Sequence, residues 1–328
     1  MFLIPHFLLI AASFCSAVAA DGYPLAHNSS LVAHDPNILQ YKGSYYLFKG
    51  GVSIPFYKAQ SLNGPWEDVG TVLSGLSIIP KENQKRPWAL SVIQKNGVFY
   101  CFYTISERGS NDSAIGIATS NVLKSGSWKD HGAIIQTGTG PGSQKPPFKE
   151  SNAIDAHVFI DPKDGAAYLS YGSFFSGLWQ LPPSNDLLSL KNSDSPDAKH
   201  LATTLRGKCC HFPDPKNLPD NGVYSIRVGR SKNVRGPFID KNGKALTSGG
   251  GHVVYGSNHD KQVFAPGGLG VLSDGPQDIL YYHYLNKNVG VAHLDAFMGW
   301  SYLEYVDGWP IAKYDPVGKD SHINDIVQ

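Results

Sequence analysis

Apolar residues along this chain come in short runs, such as Tyr45-Tyr46-Leu47-Phe48, and no stretch keeps a period of 3.6 over the length a helix needs. The runs form a repeating unit: a polar or acidic lead-in, an apolar strand, a glycine turn and an aromatic strand. Asp35-Pro36-Asn37-Ile38-Leu39 followed by Gly43-Ser44-Tyr45-Tyr46 is the first copy, and Trp88-Ala89-Leu90-Ser91-Val92-Ile93 with Gly97-Val98-Phe99-Tyr100 is the second. The third is Asp155-Ala156-His157-Val158-Phe159 with Gly165-Ala166-Ala167-Tyr168, and a looser one joins Gly267-Gly268-Leu269-Gly270-Val271 to Ile279-Leu280-Tyr281-Tyr282. A second half, a strand of small residues with a turn and an aromatic, appears as Tyr57 to Trp66, Gly116 to Trp128 and Ile226 to Phe238. Four-stranded units repeating at this scale are propeller blades. The half-unit at 226 to 238 has no first half before it, and the interval from Gly165 to Ile279 holds almost two units with a single aromatic hairpin. The pattern therefore predicts an all-β, five-bladed β-propeller whose fourth blade is incomplete. Its missing hairpin belongs between about Leu205 and Tyr224, where Cys209-Cys210-His211-Phe212-Pro213-Asp214-Pro215 stands instead.

Composition agrees with short strands and tight turns, with 35 glycines and 22 prolines. The first 20 residues are an apolar run ending in Ala17, Ala19 and Ala20 before the polar Asp21-Gly22, the pattern of a secretory signal peptide. A membrane anchor is the competing reading, and the shortness of the apolar core weighs against it. Residues 21–328 then form a single propeller domain, expected as a secreted, extracellular monomer. Asn28-Ser29-Ser30 and Asn111-Asp112-Ser113 are glycosylation sequons that accord with export. A net charge of +1 without a basic stripe speaks against nucleic acid or a membrane surface as partner and for a neutral one. Once Cys15 leaves with the leader, Cys101, Cys209 and Cys210 cannot all be paired, and Cys101 in an apolar strand reads as a small buried hydrophobe.

Acidic residues opening the inner strands of different blades would point into one axial cleft. Asp35 and Asp155 hold equivalent lead-in positions in blades one and three. Either one alone could be an ordinary turn residue. Two at matching repeat positions favour chemistry, because inverting hydrolysis of a glycosidic bond needs a general acid and a general base about 6.5–9.5 Å apart. Asp161 and Asp164 lie in Asp161-Pro162-Lys163-Asp164-Gly165 and read as turn residues. Trp88, Phe174 and Phe175 could pack in the core or stack on sugar rings, and His283 among strand aromatics reads, by itself, as a hydrogen-bonded core residue.

The motifs taken together carry a resemblance. His34-Asp35-Pro36, the run Ser110 to Ser120, Asn152-Ala153-Ile154-Asp155, Tyr171-Gly172-Ser173-Phe174-Phe175, Lys208-Cys209-Cys210, Ala265-Pro266-Gly267-Gly268 and Tyr281-Tyr282-His283-Tyr284 are similar, in order, to those of family 43 glycoside hydrolases, and within them the endo-1,5-α-L-arabinanases. The resemblance implies cleavage of plant cell-wall arabinan, with Asp35 as general base and Asp155 tuning the acid's pKa. It also implies substrate contacts at Trp88, Asn152, Ser173 and Phe174, and an ion near the axis, commonly Ca²⁺, that His283 helps hold largely through water. The family's general acid is a glutamate in a Glu-Gly pair opening blade four. Here Arg206-Gly207 runs directly into Lys208, and Glu67, Glu82, Glu107, Glu150 and Glu304 all lack its context. The family's Trp-Ala-Pro-Asp-Val becomes Trp88-Ala89-Leu90-Ser91-Val92, and Arg108 replaces a groove aromatic. The expectation is an arabinanase-type hydrolase lacking its acid, and the alternative is a non-catalytic carbohydrate-binding propeller.

Overall fold

The computed structural model describes residues 22–203, 224–258, 260 and 262–317, together with the backbone of 6–13. The predicted blade-four gap, with Gly207, Lys208 and the Cys209-Cys210 pair, lies outside the described residues. Among the described residues twenty strands dominate, and no helix is long and apolar enough to cross a membrane. Two strands come first, β1 (His6–Ser13) and β2 (His27–Val32). Then β3 (Asn37–Tyr41), β4 (Ser44–Phe48), β5 (Pro55–Ala59) and β6 (Glu67–Thr71) form one four-stranded sheet in chain order. The chain divides into two compact units, residues 1–46, 59–66 and 213–328 in one, and 47–58 and 67–212 in the other.

The second unit holds two complete meanders. One is β7 (Trp88–Lys95), β8 (Val98–Ile105), β9 (Ala114–Ser120) and β10 (Lys129–Gln136). The other is β11 (His157–Ile160), β12 (Ala167–Ser173), β13 (Gly177–Leu181) and β14 (Lys199–Ala202). Asn96 and Gly97 both take positive φ, 52° and 82°, the two-residue turn that matches strand twist and sets the β7–β8 register. Phe102, Ile115, Ile117, Leu169, Tyr171 and Leu181 make a buried core on strands of both meanders. A strand covered on both faces is buried without alternation, as in the stretch Cys101 to Ile105 of β8, which is apolar but for Thr104. Cys101 is fully buried and unpaired, and burial pushes its thiol pKa up, as expected of a small hydrophobe.

In the first unit β15 (Tyr224–Ser231) pairs with β16 (His252–Gly256) on one side. Its other side is taken by β1, antiparallel over eight residues from His6↔Ser231 to Ser13↔Tyr224. The half-unit read from the sequence as lacking a preceding hairpin thus takes its next strand from the start of the chain, within the segment read as a leader. The physical reason is that an uncovered strand edge leaves backbone N–H and C=O groups that any extended segment can satisfy. The unit is completed by β17 (Phe264–Asp274), β18 (Gln277–Leu285), β19 (Phe297–Val306) and β20 (Trp309–Lys313), with β2 added beside β19 through Val32↔Phe297 and His27↔Trp300. Ile226, Val228, Tyr255, Leu280, Tyr282 and Trp309 form its core.

Candidate active site

Asp35 sits just before β3 with φ 50°, and Asp155 just before β11 with φ 57°, so the two lead-in aspartates share a left-handed backbone that few non-glycine residues adopt. The equivalence read from the repeat is therefore conformational as well as positional. In the first unit His34 Nδ1 lies 2.9 Å from Asp35 Oδ2 and His283 Nδ1 lies 3.2 Å from Asp35 Oδ1. His283, buried in β18, also accepts the Asp35 backbone N–H at Nδ1 over 3.1 Å. The His34 ring stacks on His283 at 4.0 Å and on His293 at 3.7 Å.

This environment sets the charge. Burial pushes the Asp35 carboxyl up, but the close approach of the His34 and His283 imidazoles outweighs it and holds the group well below the usual carboxylate range. Burial lowers the pKa of His34, with Asp35 partly opposing. Asp35 is thus an ionised carboxylate with 23% of its side chain exposed, equipped to accept a proton from water. Close approach depends on Gly268, φ 50°, where an added Cβ would collide with Asp35 Oδ1 and His283 Nδ1.

Donor atoms of His34, Asp35 and His283 all lie within 4.8 Å of one another. Two imidazoles and one carboxylate resemble a transition-metal set, whereas calcium prefers oxygens, so Ca²⁺ fits here only with water supplying most of its ligands. Because His283 Nδ1 takes the Asp35 amide, Nε2 is the nitrogen left to face such a shell.

In the second unit the Asp155 backbone N–H donates to Thr104 Oγ1 of β8 at 3.2 Å, and the Asp155 side chain is exposed. Trp88 opens β7 opposite Thr104 and is partly buried. Asn152 is buried and its Nδ2 donates to Ser173 Oγ at 3.4 Å, while its buried Oδ1 has no partner among the described residues. Ser173 Oγ also accepts the Phe175 N–H, and the partly buried Phe174 and Phe175 rings stack at 5.1 Å. Asn152, Ser173 and Phe174 therefore form one neighbourhood, whereas Asp161 and Asp164 accept the N–H groups of Lys163 and Ala166 as turn residues do. In the Ser110 to Ser120 run, Asp112 anchors structure by pairing with buried Lys81 and accepting from Thr139. Sequence reasoning missed His34, His293 and Thr104 as participants. His34 was readable from its place beside Asp35, but nothing local marks the other two.

The model for glycosyl hydrolases family 43 matches residues 29–209, more than half of the chain. A protein named "Probable arabinan endo-1,5-alpha-L-arabinosidase D" from Emericella nidulans is 48% identical over 317 residues, covering 89% of this chain and 82% of that protein. Arabinan endo-1,5-alpha-L-arabinosidase B of the same organism is 44% identical over 352 residues, 91% of this chain and 87% of that protein. That aligned length exceeds the whole 328-residue chain, so the relative carries residues with no counterpart here. Among solved structures, Cellvibrio cellulosa α-L-arabinanase complexed with arabinohexaose superposes with a TM-score of 0.73 at 23% identity, over 86% of this chain and 96% of that one. Native Bacillus subtilis arabinanase gives 0.69 at 26%, over 87% and 98%. The fold is an all-β propeller, and the chain is a glycoside hydrolase that belongs to glycosyl hydrolases family 43.

Proposed function

We propose that this chain is a secreted, five-bladed endo-1,5-α-L-arabinanase-type enzyme acting on plant cell-wall arabinan, with its leader in residues 1–20. Asp35 is the general base that activates water for inversion at the anomeric carbon, and the observation that carries this role is its carboxylate set between His34 and His283, 2.9 and 3.2 Å away. Asp155 stands where the resemblance places the residue that orients and tunes the acid, a role left here without its acid. Trp88, Asn152, Ser173 and Phe174 contact the polymer. A Ca²⁺ ion held through His283 and water would supply fixed positive charge near the site. Dialysis against a chelator is then expected to lower the melting temperature, with calcium restoring it.

No glutamate in the chain has the context of the acid, so the leaving alkoxide takes its proton from solvent. General acid catalysis is worth about 10²–10⁴-fold, and turnover is expected to fall short of complete relatives by that factor. Reducing-sugar release from debranched arabinan tests it. Slow release abolished by Asp35→Asn is expected; binding of arabinan with no Asp35-dependent release would make the chain a carbohydrate-binding propeller instead, and release from xylan or sucrose but not arabinan would move the substrate.

A further inference from the structure

Beyond β20 the chain runs into a segment fixed by two clamps. Gln277 Nε2 donates to Val317 O at 2.8 Å while Gln277 Oε1 accepts Val317 N–H at 3.0 Å, and His27 Nε2 lies 2.7 Å from Tyr314 O. Three rings stack between these clamps. The Trp300 ring, 6% exposed, lies 4.0 Å from His27 at 13°, and His27 lies 4.1 Å from Tyr314 at 15°. The stack starts in the core and ends at the surface, where Tyr314 keeps 48% exposure. Tyr314 lines an open surface depression of about 310 Å³ together with Glu304, Lys313, Asp315, Pro316 and Val317. None of these residues belongs to the Asp35 site.

Two features go beyond what packing alone requires. The exposed Tyr314 ring is immobilised by the His27 stack and the flanking hydrogen bonds, so a ligand laid on it would not bear the ordering cost of a mobile side chain. Around it stand two carboxylates and one ammonium, with Lys313 Nζ paired to Glu304 Oε2 at 2.9 Å and Asp315 exposed. An aromatic face for C–H groups beside charged acceptors and a donor for hydroxyls suits a neutral sugar ring, and the excess of carboxylates disfavours an anionic one.

We propose that the open depression at Tyr314 is a second carbohydrate-binding subsite that takes a furanose unit of a neutral arabinan chain. The sugar class rests on the substrate reading above. Native gel electrophoresis through debranched arabinan tests it, in the Asp35→Asn background so that the gel polymer stays intact. Arabinan is expected to slow the protein, Tyr314→Ala to weaken that retardation at least threefold, Tyr314→Phe to keep it and Asp315→Ala to weaken it. Melting temperatures check that each variant is folded, and Asp315→Ala, at an exposed position, carries the test if Tyr314→Ala does not fold. Equal retardation of Tyr314→Ala and its parent, or of Asp315→Ala where Tyr314→Ala does not fold, overturns the proposal. So does retardation by polygalacturonate in place of arabinan, or none by arabinan. Hydrolysis of arabinan by the chain with Asp35 intact is scored separately, so loss of this subsite and loss of the substrate reading give different results.

Discussion

A carboxylate can serve as a base only while it stays ionised, and at Asp35, the proposed base, two adjacent histidines favour the charged form. Its pKa is held down in the folded chain against about 3.9 when unfolded, so it stabilises the native state above that value, and the contribution is lost as pH falls through the lower folded value. The melting-temperature difference between the parent and Asp35→Asn is expected to be constant above about pH 5 and to shrink toward pH 3. A difference that stayed flat from pH 7 to 3 would show an unperturbed carboxyl, and one that grew as the pH fell would show a raised one. Gly268→Ala tests the packing: the methyl must displace Asp35 or His283, so arabinan hydrolysis is expected to drop as far as in Asp35→Asn while overall strand content by circular dichroism is unchanged.

Strand pairing raises a different issue, because β15 pairs with β1, and β1 lies within the proposed leader and would leave with it. Removing residues 1–20 takes β1 away and leaves the β15 edge from Tyr224 to Ser231 without its eight-residue pairing. Amide hydrogens of that edge are expected to exchange at least tenfold faster in the shortened chain than in the full one, with those of β8 and β9 unchanged. Equal exchange would mean that another segment covers β15. Turns behave more locally: Asn96-Gly97 and Asp307-Gly308 take the positive φ values that their residue types favour, and the hairpins they close follow from short-range sequence.

At the level of the whole molecule, the proposed absence of the blade-four hairpin would remove one functional group. Inserting a Glu-Gly-led, tyrosine-rich hairpin between Gly207 and Lys208 is expected to raise turnover on debranched arabinan about 10²–10⁴-fold, and unchanged turnover would show that the chain manages without that acid. The sequence by itself determined the all-β class, the turns, the family, and Asp35 and Asp155 as matching positions, because strand periodicity and turn chemistry are local and the repeat copies them along the chain. Tertiary structure alone decided that His283, far along the chain, holds the Asp35 amide, that Gly268 gives them room, that Thr104 receives the Asp155 N–H, and that residues 6–13 lie beside β15. These are contacts between residues distant in sequence, fixed by how sheets pack and which edges stay open, and no local pattern encodes them.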